Sequence, residues 1–134
     1  MPRQRTIKKL GQPPVMKGFK PFGLPLCKAE NVSLTFEQYE SLKLINYEKL
    51  SHEDAALRMN ISRPSFTRLY NKALALIAQA FVEGKAIHIN GGDYQFEKTW
   101  FKCKKCHKLI EGEDNHLQCE NCIHYSPDEL IPIN

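Results

Sequence analysis

The chain has 134 residues, a net charge of +4 and a pI near 8.8. That length allows one domain with a small appendage, and the balance is only mildly basic. No apolar run is long enough to span a membrane, no signal peptide is evident, and no nucleophile-with-base pattern or phosphate-binding glycine loop stands out, so a cytoplasmic, non-enzymatic protein is expected.

Residues 1–28 carry Arg3, Arg5, Lys8, Lys9, Lys17, Lys20 and Lys28 and no acid. The stretch is rich in Pro and Gly, so residues 1–30 read as an extended basic arm. Arg3 and Arg5 are its candidate contacts with a DNA minor groove or with phosphates. Met16, Phe19, Phe22 and Leu24 place apolar groups within PVMKGFKPFGLPL, so part of the arm is expected to pack on the core. Cys27 reads as a lone, buried or half-buried thiol.

Residues 31–92 carry the helical pattern. Thr35 and Gln38 have the spacing of a capping box for TFEQYESLKLINYEKL. Ser51 caps a second, short helix whose small apolar face is Ala55, Ala56 and Met59. Glu53 and Asp54 put negative charge at its positive end. Asn60 stands where the chain must turn, since it tolerates the left-handed conformation. Ser62 then caps a long helix with Pro64 in its first turn, and Gly84 stops it. Phe66, Leu69, Tyr70, Ala73, Leu76, Ile77, Ala80 and Phe81 form one buried stripe of that helix.

Two short-turn helices, the second starting with arginine, have the outline of a helix-turn-helix. Arg63, Ser65, Thr67, Arg68, Asn71 and Lys72 are then the candidate DNA contacts. Arginine pairs with guanine and asparagine with adenine through two-pronged hydrogen bonds. An amphipathic helix with a merely solvated polar face is the plainer alternative. The paired caps and short turn favour the first. KAIHIN, residues 85–90, alternates like a short strand, and residues 93–96 are expected to continue as a second strand into the last segment.

Residues 93–134 contain Cys103-x2-Cys106, twelve intervening residues, and Cys119-x2-Cys122. Two such turns present four thiolates to one ion, as in a structural zinc ribbon or knuckle. So small a segment would draw much of its folding energy from the metal. A rubredoxin-like iron site shares the ligand set, but such sites commonly place Gly after the cysteine turns and Pro within the second. Here the turns read CKKCHK and CENCIH, which favours zinc. His107, His116 and His124 read as surface residues beside a shell that four thiolates complete.

PPVMKGFKPFGLP, LTFEQYESLKL, SHEDAALRMNISRPSFTRL and FVEGKAIHINGG, in that order, resemble a family catalogued as domain of unknown function 134, predicted DNA-binding proteins of bacteria and archaea. The resemblance implies a helix-turn-helix like region 4 of sigma factors and a role in transcription. Lys43, Asn46 and Asn60 depart from the Arg, Asp and Gly usual at those positions. By motif, Arg63, Ser65, Thr67 and Arg68 fall on the recognition helix.

The expected fold is therefore mainly α: a three-helix helix-turn-helix core with a small β zinc ribbon. The expected function is a sequence-specific transcriptional regulator that binds double-stranded DNA, as a monomer or a homodimer. One rival is an adaptor whose ribbon docks a protein such as RNA polymerase. Another is an iron or thiol redox protein.

Overall fold

A computed structural model describes residues 7–25, 30–92, 94–96, 98–103, 108–112 and 130–133. Among these, three helices and eight strands follow in order. They are β1 (Lys8–Leu10), β2 (Gly18–Phe19), β3 (Asn31–Leu34), α1 (Phe36–Leu42), α2 (His52–Met59) and α3 (Arg63–Glu83), then β4 (Ala86–Ile89), β5 (Tyr94–Phe96), β6 (Trp100–Cys103), β7 (Leu109–Glu111) and β8 (Leu130–Ile133).

The mainly α expectation fails on the strands. They form three small sheets, which makes this an α/β fold. β4 lies at the centre of one sheet, antiparallel to β2 and parallel to β3. Parallel neighbours need a crossover, and the whole three-helix unit is that crossover. β1 pairs in parallel with β5, Lys8 opposite Tyr94 and Leu10 opposite Phe96. The basic arm is therefore not a bare tail, since it contributes β1 and β2 to sheets. β5 joins the arm and not the last segment, contrary to expectation. β6 pairs antiparallel with β7 and β8 in the third sheet.

The helical pattern holds with two differences, one of them Phe81, which is expected in the buried stripe of α3 but is 89% exposed. Thr35 accepts from Gln38 N–H at 3.1 Å and the Gln38 side chain accepts from Thr35 N–H at 2.9 Å, so the capping box is complete. The first helix was expected to run on through Leu50. Instead α1 widens into a π turn at Lys43–Tyr47, with Glu48 N–H bonded to the Lys43 carbonyl at 2.9 Å. Lys49 then turns left-handed at φ 61°.

Two apolar clusters share the helices. Leu10, Leu44, Ala55, Ala56, Met59 and Phe66 are buried together where the three helices meet β1. Leu34, Ala73 and Ile89 are buried between α1, α3 and the β2–β4–β3 sheet, with Met16 packed beside them. Phe36 touches both clusters and meets Phe96 edge-on at 6.1 Å. Of the arm's apolar residues Met16 packs, whereas Phe22 is 99% exposed and Phe19 and Leu24 are exposed as well.

Candidate nucleic-acid interface

The turn between α2 and α3 is built from local rules that the sequence states openly. Ser51 Oγ accepts from Asp54 N–H at 3.1 Å and starts α2. Asn60 ends it in the left-handed region, φ 59° and ψ 43°. The Ile61 N–H returns to the Ala56 carbonyl at 3.0 Å while its side chain packs on the helical cluster. Ser62 Oγ accepts from Ser65 N–H at 3.3 Å and donates to Ser65 Oγ at 2.8 Å, which caps α3. Pro64 sits in the first turn, where a missing N–H leaves nothing unsatisfied. Gly84 closes the far end at φ 67°.

α3 buries Phe66, Ala73 and Ala80. Its opposite side presents Arg63, Ser65, Arg68, Asn71 and Lys72, all exposed, while Thr67 is half-buried at the edge. Six candidate residues thus share one helix, five of them open to solvent. Thr67 is held from the side, with its hydroxyl 3.0 Å from His52 Nδ1. The His52 ring stands edge-on to Phe66 at 5.5 Å and to Tyr70 at 5.3 Å. The first residue of α2 is thereby keyed into the first turns of α3.

Charge on this face is available. Among the described residues, Arg63, Arg68 and Lys72 enter no ion pair, whereas Arg58 on α2 holds Glu48 at 3.0 Å. No acid occurs in α3 before Glu83. A cleft of mixed polarity of about 440 Å³ lies beside the start of α3, lined by Asn60, Ile61 and Ser62 from the turn, Ser65 from α3, Leu57 from α2 and Lys8 from β1. Lys8 Nζ is anchored to Glu37 at 2.7 Å. Arg3 and Arg5 lie outside the described residues.

Of the expected metal ligands, Cys103 is described. It is fully buried at the end of β6, and its N–H bonds the Lys108 carbonyl at 3.2 Å. Phe101 and Ile110 are buried on the same hairpin. Cys106, Cys119 and Cys122, like Cys27, lie outside the described residues, so the quartet's geometry is not in view. The donor set itself, four thiols in two Cys-x-x-Cys turns, fits zinc.

Sequence reasoning passed over His52 and missed the partners of Asn46 and Lys8. His52 shows only as one polar residue after a cap, and its partners stand fourteen to eighteen residues later. Asn46 Nδ2 donates to Tyr70 Oη at 3.1 Å, a pairing across two helices that no local pattern announces.

These features define an α/β protein in which a capped, tightly turned helix pair is mounted between parallel strands. A family model described as "Protein of unknown function DUF134" matches residues 1–97, and the chain belongs to that family. Similar relatives are each called "UPF0251 protein". The one from Chloroherpeton thalassium is 37% identical over 124 residues, 91% of this chain and 82% of the relative. That from Desulforudis audaxviator is 40% identical over 113 residues, 84% of this chain and 74% of the relative. A third, from Moorella thermoacetica, is 37% identical over 123 residues, 91% and 83% respectively. An alignment over 91% of the chain necessarily runs well past residue 97 into the cysteine-bearing segment. No solved structure matches. No helix among the described residues is long and apolar enough to cross a membrane.

Proposed function

We propose that the chain is a sequence-specific DNA-binding regulator of the cytoplasm, and not an enzyme, that reads duplex DNA with the first half of α3. Its basis is the solvent side of that helix: Arg63, Arg68 and Lys72 exposed and, among the described residues, outside any ion pair, with Ser65 and Asn71 between them. In this reading Arg68 and Asn71 reach base edges, and Arg63 and Lys72 meet phosphates. Thr67, tied to His52, aligns the helix more than it contacts the duplex. The arm with Arg3 and Arg5 adds affinity that salt weakens. A four-cysteine zinc site at Cys103, Cys106, Cys119 and Cys122 stabilises the last segment.

Selection of bound duplexes from a random pool at near-physiological salt is expected to enrich one motif, and the motif's symmetry reports monomer or dimer. Arg68→Ala is expected to cost about 1–3 kcal/mol and to relax preference at one position. Retention without an enriched motif would defeat the sequence-reading claim. A protein-interaction reading draws on the exposed Leu74, Phe81 and Val82 of the second half of α3, and so on that helix and not on the ribbon. No binding to any duplex would favour it.

A further inference from the structure

The helices and the β2–β4–β3 sheet do not close completely over the second apolar cluster. Between them lies a groove of about 460 Å³, inside the range of small-molecule sites. Its floor is Leu34 and Ile89, both buried, and its walls include Leu42 from α1 and Ile87 from β4. Phe19 and Tyr47 flank the mouth, 64% and 82% exposed.

The polar groups at the edge define what the groove can accept. Lys43 lines it, but its ammonium is committed to Glu40 at 3.0 Å and to the Gln12 carbonyl at 3.4 Å. Tyr39 offers a hydroxyl whose pKa is raised by burial and then by Glu40, so it stays neutral. The lining therefore supplies no uncommitted charge and selects against an ionic ligand.

One side of the groove is the π turn, through Lys43, Asn46 and Tyr47. Such turns recur at functional sites. Asn46 is bonded to Tyr70, and Tyr70 stacks on Phe66 at 6.3 Å and meets His52, which holds Thr67 on α3. A contiguous set of contacts runs from the groove to the start of α3.

We propose that this groove binds a small, uncharged, mainly apolar molecule, and that its occupancy is transmitted through Asn46 and Tyr70 to the recognition half of α3. The second clause rests on the DNA-binding reading, whereas the site itself does not. A ligand shifts α3 only insofar as it binds two arrangements of the π turn unequally.

The test uses the full chain and the neutral fluorophore N-phenyl-1-naphthylamine. Saturable binding is expected, weakened by about tenfold or more in Ile87→Trp and in Met16→Trp, which fill the groove from two elements. Circular dichroism checks that each variant is folded, and the two substitutions are independent of each other. Absence of saturable binding, or unchanged affinity in the folded variants, overturns the site. Loss of binding as the chain self-associates gives the groove to a second copy and overturns it too. Coupling is read without DNA, from the His52 ring signals by NMR. They are expected to move on saturation in the wild type and to stay still in Tyr70→Phe, which keeps the ring and loses the hydroxyl. Movement in both, or in neither, removes the transmission while leaving the site. A duplex selection that fails while the probe binds separates this proposal from the DNA reading.

Discussion

Replacing Asn60 isolates the energetics of the turn that sets α3 against α2. The residue sits at φ 59° and ψ 43° with its N–H bonded to the Leu57 carbonyl at 3.1 Å. An L-residue held in that region is strained by about 1–2 kcal/mol, a cost that Asn softens through its short polar side chain. Asn60→Ala keeps the Cβ and loses the softening, so it is expected to destabilise by about 1 kcal/mol. Asn60→Gly removes the Cβ, but the freer unfolded chain offsets the relief, and it is expected to fall within about 0.5 kcal/mol of wild type. Urea unfolding with unchanged m-values reads the difference directly. In a thermal scan a loss of 1 kcal/mol is expected as a drop of about 3–6 °C for a chain of this size. Alanine matching asparagine, or glycine proving worse than alanine, would refute a turn governed by backbone strain.

Gly18 adopts φ 153° in β2, and a Cβ there would overlap the Ile87 carbonyl oxygen. Gly18→Ala is expected to cost about 1–3 kcal/mol and to lose exchange protection at the Ile89 amide, which bonds the Lys17 carbonyl at 2.8 Å. Burial raises the pKa of Glu40, against the lowering pull of Lys43 and the Gly11 N–H. Between its ordinary and its raised value the native state holds more protons than the unfolded one, so Glu40 costs stability as pH rises through that window. The stability of wild type relative to Glu40→Gln should therefore fall from acid to neutral pH in paired denaturant titrations, and a flat difference would contradict the raised pKa. Elemental analysis of the purified chain is expected to give about one zinc per chain, and Cys103→Ser to reduce it sharply. Unchanged zinc content would remove Cys103 from the ligand set.

What was legible in the sequence was short-ranged. Thr35 with Gln38, Ser51 with Asp54 and Ser62 with Ser65 each settle a helix start within three residues. Asn60 and Gly84 end helices for reasons of their own backbones. KAIHIN shows its strand because four residues suffice to display alternation. β1 and β2 were not legible. They span three and two residues, too few for a period, and their partners lie far along the chain, Lys8 at Tyr94 and Gly18 at His88. Pro and Gly around them argue correctly against helix but do not announce strand pairing, so the fold class is missed with them. The interface divides the same way. Exposure of Arg68 and Asn71 follows from helical spacing, whereas the tie between His52 and Thr67 exists only once α2 and α3 have packed.

The solvent side of α3 changes chemistry midway, and the change bears on how a duplex would meet it. From Arg63 to Lys72 that side is polar and basic. From Leu74 onward it is mainly apolar, with Leu74, Ala75, Ala78, Phe81 and Val82 exposed, Phe81 at 89%, and with Gln79 and the acid Glu83 as its exposed polar residues. The first stretch spans about 15 Å of a helix about 30 Å long. A helix that enters the major groove by its N-terminal end contacts bases with its first turns and leaves the groove with its last. A groove-lying helix, in contact along its whole length, would place against phosphates a second half that is mainly apolar, carries no cation and ends in the acid Glu83. The acids Glu53 and Asp54 at the start of α2 likewise make that helix end a poor phosphate contact. For the proposed DNA reading, the charge pattern favours the end-on mode. In that mode, shortening the basic stretch by Lys72→Ala weakens binding evenly across sequences and lowers its salt dependence, while Phe81→Ser leaves both unchanged.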